Sequence, residues 1–74
     1  MGKFTAIDVR GLEAPEPMER VLDAVALLGP DDTLQMLIDR EPRPLYRILQ
    51  QNGYRFEAVV RDDGVFEILI RPAG

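Results

Sequence analysis

Seven side chains in two short stretches have the types and spacing that could do chemistry. Arg10, Glu13 and Glu16 fall in the first stretch; Arg40, Glu41, Arg43 and Tyr46 fall in the second. Arginine offers forked donors to a carboxylate or another anion. Tyrosine offers a ring face and a hydroxyl. Glu13 and Glu16 have the chemistry of an acid and a base, but nothing near them in sequence suggests the burial that tunes a carboxylate, so catalysis is not expected of them. The chain holds no cysteine and no histidine. That removes disulfides, thiolate metal sites and the commonest acid–base group. No glycine-rich phosphate loop, metal-ligand cluster or nucleophile–base pair is visible. No enzyme activity, metal or cofactor is therefore expected. The seven residues read either as a binding surface or, more plainly, as helix caps, proline turns and surface ion pairs that finish the fold.

The elements that must position them can be read from periodicity. Phe4 to Val9 is a β-prone run ended by Gly11. A first helix should begin near Pro15–Pro17, where a missing N–H costs nothing, and Glu16 and Glu19 suit its positive end. Met18, Val21, Leu22, Val25 and Leu28 form one apolar stripe, and Gly29-Pro30 should stop the helix. A second strand spans Thr33 to Asp39, with Leu34, Met36 and Ile38 on one face and Leu37 on the other. Glu41-Pro42-Arg43-Pro44 opens a second helix carrying Leu45, Ile48 and Leu49, and Asn52-Gly53 ends it. Tyr54 to Arg61 and Val65 to Arg71 make a hairpin around Asp62-Asp63-Gly64. Phe56, Ala58, Val60, Phe66, Ile68 and Ile70 should face inward. Leu37, Val59, Val65 and Leu69 should lie on the other, open face. The carboxylate pairs Asp31/Asp32 and Asp62/Asp63 sit where the chain must reverse and read as turn formers.

The order is β-α-β-α-β-β. A strand–helix–strand unit closes right-handed with parallel strands. The expected fold is α+β: a two-layer α/β sandwich, with a four-stranded mixed sheet and two helices on one face. The loops at residues 10–17 and 39–44, on or near which the seven residues lie, then meet at one sheet end, where helix N-termini present N–H groups and positive charge. With 74 residues there is room for one domain, residues 1–74. The net charge of −4 and a single lysine, Lys3, argue against nucleic acid. No apolar run reaches the roughly 20 residues that span a membrane, and Met1-Gly2-Lys3 leads directly into a strand-like segment without a signal peptide. A cytoplasmic location is expected.

Residues 7–17 read Ile-Asp-Val-Arg-Gly-Leu-Glu-Ala-Pro-Glu-Pro. This opening resembles the TusA/SirA-like family of small sulfur carriers, with its pattern Leu-Asp-x-x-Gly-Leu-x-Cys-Pro-x-Pro. The family's cysteine bears a persulfide; Ala14 stands at that position here. The Gly-Pro-Asp-Asp-Thr-Leu approach to the second strand and the Asp-x-x-Pro entry to the second helix extend the likeness over most of the chain. The segment Asp39 to Tyr46 differs from the sulfur carriers and looks like a cysteine-free branch of the superfamily with no assigned function. The resemblance implies the same sandwich, which is also similar to the C-terminal domain of translation initiation factor three. It implies a functional end at the helix starts and a setting in sulfur- or redox-linked bacterial metabolism. The absent thiol excludes persulfide transfer. The leading expectation is a non-catalytic binding or adaptor domain with a protein partner. The alternatives are a carrier or sensor for a small anion and, further off, an RNA-binding module.

Overall fold

A computed structural model describes residues 2–73. The chain order is β1 (Phe4–Asp8), α1 (Glu16–Val25), β2 (Thr33–Ile38), α2 (Arg43–Gln51), β3 (Tyr54–Val60) and β4 (Phe66–Pro72). The strands form one mixed sheet in the order β1-β2-β4-β3. β1 lies parallel to β2, and β4 runs antiparallel to both β2 and β3. The two-layer α+β sandwich is as expected, and strands β1 and β2 are direct neighbours.

Alternation in β2 turns Leu34, Met36 and Ile38 inward, and the register sets Ile70, Ile68 and Phe66 beside them. Val21 and Val25 of α1 and Leu45 and Leu49 of α2 close over this face, so both helices share one core. Val9 continues β1 by donating to the Leu37 carbonyl at 2.9 Å, and its side chain is fully buried. Within the α1 stripe, Val21 and Val25 are buried, whereas Met18, Leu22 and Leu28 only flank the core.

Two details depart from the sequence reading. Helix α1 ends at Val25 rather than at Gly29-Pro30. Leu27 N–H and Leu28 N–H bond the carbonyls of Ala24 and Val25, a tightened turn that leaves Leu27 84% exposed. Ala58 and Val60 share the helix-side face with Phe56, as expected, but both are exposed. They lie on the edge strand beyond the cover of either helix. The open face holds no continuous apolar patch, because Glu67 separates Leu37 from Val59 across the register, and Gln35 and Glu57 flank Leu69. The Gln35 amide donates to Glu67 at 2.8 Å across that face.

Both acidic pairs do make turns. Asp32 accepts the Lys3 N–H at 2.8 Å and the Gly29 N–H at 2.7 Å. Lys3 in turn accepts the Thr33 N–H, so one carboxylate joins the starts of β1 and β2. These backbone donors, Lys3 first, hold the Asp32 carboxyl below the ordinary carboxylate range. At the hairpin, Asp63 accepts the Val65 N–H, and Gly64 takes φ 83°, a region other residues avoid.

Two stability tests follow from this packing. Leu45 is fully buried, so Leu45→Ala should cost ~2–5 kcal/mol in urea unfolding. Leu22→Ala should cost less, and the exposed Arg20→Ala almost nothing. Asp32 stabilises the fold fully above its ordinary pKa of roughly 3.9, and that contribution fades as pH falls towards the lowered folded value. The melting temperature of Asp32→Asn should therefore lie below that of the unmodified protein at neutral pH. The gap should close in acid; a gap independent of pH would contradict the role of the charge.

Candidate functional site

Parallel pairing of β1 and β2 delivers the loops at residues 9–15 and 39–42 to one end of the sheet. Two contacts join them. Asp39 accepts the Gly11 N–H at 2.9 Å, and the Arg40 guanidinium donates to the Leu12 carbonyl at 3.2 Å. Gly11 has φ 79°, which turns its N–H towards the other loop without a Cβ penalty.

Between the two helix starts lies an open cleft of about 260 Å³. Its buried floor is Val21, Met36, Ile38 and Leu45. Pro15 and Pro17 stand on one side, Pro42 and Pro44 on the other. Ala14, Met18, Arg40 and Glu41 complete the rim. The lining is mostly apolar because the floor is the end of the core, left uncovered where the two proline turns stand apart.

Prolines also decide what the helix ends can bind. In α1, Glu16 N–H bonds the Glu13 carbonyl, Pro17 has no N–H, and Glu19 N–H bonds Pro15. Met18 is left as the remaining donor of that turn. In α2, Arg43 N–H bonds Glu41, Pro44 has no N–H, and Leu45 N–H bonds Pro42. The first helical turns thus hold few of the free donors that make an anion site. The sequence reading counted those N–H groups as available; the prolines and the local turns take them.

The seven candidate residues do not converge on one point. Arg40 and Glu41 reach the cleft rim. Arg43 donates to Glu41 at 2.8 Å beside it. Arg10 instead grips Asp8 through both carboxylate oxygens, at 2.8 and 2.6 Å. That fork lowers the Asp8 pKa to about 2. Glu13 and Glu16 are exposed and outside the cleft lining. Tyr46 is not part of the cleft lining and stacks on Phe56, with ring centroids 4.3 Å apart and planes 8° from parallel. Burial first, and the nearby Glu41 carboxylate second, push its hydroxyl above the ordinary phenol range. The oxygen lies near Glu41 but makes no hydrogen bond of normal geometry. Among the described residues, no cluster of three or more acidic side chains forms a cation site, and no helix is long and apolar enough to cross a membrane.

Ala14, at the position of the sulfur carriers' cysteine, is exposed on the cleft rim. The sandwich, its helix starts and this rim define a domain of the TusA/SirA-like class. The crystal structure of a SirA-like protein from Desulfitobacterium hafniense superposes with a TM-score of 0.79 at 30% identity, covering 89% of this chain and 93% of that one. The chain belongs to the family described as uncharacterized conserved protein, DUF2249, whose family model matches residues 6–72. No curated protein matches it.

The Tyr46 geometry gives a specific expectation. A buried hydroxyl without a partner costs about 1–3 kcal/mol, so Tyr46→Phe should leave stability unchanged or raise it. Tyr46→Ala, which removes the stack on Phe56, should lower it clearly. A loss on Tyr46→Phe in thermal unfolding would show that the hydroxyl has a structural or binding role.

Proposed function

We propose that this chain is a non-catalytic binding or adaptor domain whose cleft takes an apolar segment of a partner protein. One observation carries the reading: the end of the core is open to solvent between two proline-braced helix starts. The cleft volume of about 260 Å³ falls just below the roughly 300–1,000 Å³ typical of small-molecule sites, and suits one or two inserted side chains. Arg40 and Glu41 put both signs of charge on the rim, which matches the dipoles of a peptide backbone. The prolines restrict the loops and reduce the entropy lost on binding.

The alternative, a carrier for a small anion, draws support from Arg40 and Arg43. It is weakened by the scarcity of free helix N–H groups and by the Glu41 carboxylate bonded to Arg43. RNA binding is disfavoured by the net charge of −4. We further propose a bacterial, cytoplasmic setting in sulfur- or redox-linked metabolism, a reading that rests on the resemblance of residues 7–17 to the sulfur carriers. Ala14 replaces the sulfur-carrying group, so the domain would recognise partners of such a pathway without carrying sulfur itself.

Ala14→Trp should fill the cleft from its rim and leave the fold intact, because Ala14 is exposed. Proteins retained by the immobilised domain should be lost with Ala14→Trp and reduced with Arg40→Ala. They should persist with Arg71→Ala at the far end of β4. Retention unaffected by Ala14→Trp would place the binding surface elsewhere.

A further inference from the structure

The edge strand β3 carries a surface that the cleft does not explain. It ends in three consecutive exposed apolar residues, Ala58, Val59 and Val60, with Val59 at 47% and Val60 at 62% exposure. Apolar, unguarded edges are rare because they template pairing with another strand. β3 has β4 on one side only. The Arg61 N–H bonds Val65 and the Ala73 N–H bonds Gly53, which fixes the parity of that ladder. Odd-numbered residues of β3 bond β4, and the peptide groups of Tyr54, Phe56, Ala58 and Val60 point to the free edge.

We propose that β3 pairs antiparallel with β3 of a second copy of this chain, about a two-fold axis at Val59. The charges select this register. With the axis at Val59, Ala58 faces Val60 of the second copy, and the two exchange both peptide hydrogen bonds. The two Val59 side chains meet in a closely spaced, non-hydrogen-bonded pair on the open face. Glu57 faces Arg61 of the second copy on each side, and neither takes part in an ion pair within its own chain among the described residues. An axis at Glu57 sets the two Glu57 carboxylates against each other. An axis at Ala58 sets Arg55 against Arg61. An axis at Phe56 matches Arg55 with Glu57 but leaves Val59 and Val60 outside the paired region. Only the Val59 axis joins opposite charges and also covers the exposed valines. The result is an isologous dimer with one continuous sheet through both copies.

The test is sedimentation of purified protein over a concentration series, with circular dichroism confirming the fold of each variant. The unmodified chain should dimerise, and Val59→Lys should be monomeric. Glu57→Arg alone and Arg61→Glu alone should each be monomeric, because like charges then meet. An equimolar mixture of these two variants should dimerise again, since at positions 57 and 61 each Arg of one chain then faces a Glu of the other. A monomer at all concentrations for the unmodified chain would overturn the proposal. So would a dimer that survives Val59→Lys, or two folded single variants that fail to associate when mixed.

Discussion

The parallel pairing of β1 with β2 is the constraint on which the rest of the structure depends. A parallel neighbour cannot be joined by a tight turn, so α1 must cross the sheet and return the chain to the same starting edge. That crossing sets the loop before α1 beside the loop before α2. The Asp39 carboxylate on the Gly11 N–H and the Asp32 carboxylate on Lys3 and Gly29 then hold the two ends of this strand pair. Each of these acids accepts backbone donors that would otherwise lack partners in the loops.

The same geometry in other α/β proteins favours anions, because two helix N-termini converge. Proline changes the outcome here. Pro15 and Pro17 in one turn, and Pro42 and Pro44 in the other, delete donors and stiffen the backbone at once. The helix starts remain apart, and the floor between them is the bare end of the apolar core. A site that could have been polar is an apolar cleft with a charged rim. Ala14, at the position of the sulfur carriers' cysteine, puts a small side chain without a thiol on that rim.

Most of the fold was legible from local chemistry. Alternation in Leu34, Met36 and Ile38, the Asp-Gly turn before β4 and the paired prolines at each helix start placed every element within a few residues. The helix C-terminus at Val25 was not legible, because Ala26, Leu27 and Leu28 continue the apolar pattern while the backbone has already tightened. Exposure of Ala58 and Val60 was hidden because alternation reports a face, not whether a helix covers it. The candidate site was half legible. Arg40, Glu41 and Ala14 were placed at the end of the sheet where the cleft lies, but Tyr46 could go either way from α2, and only its stack on Phe56 shows that it packs inward. The floor residues looked like ordinary core, and nothing in their sequence marks them as uncovered. The missing donors, by contrast, could have been counted from the prolines alone.

The central claim is that the helix-start cleft selects apolar groups over anions. Backbone amide shifts of isotope-labelled protein, followed by NMR during titration with a small apolar probe such as indole and separately with inorganic phosphate, test it most directly. Indole should shift Ala14, Met18, Ile38 and Leu45 together, and phosphate should leave the helix starts unmoved. Saturable phosphate shifts at Met18, Arg40 and Arg43, with no response to indole, would contradict the account.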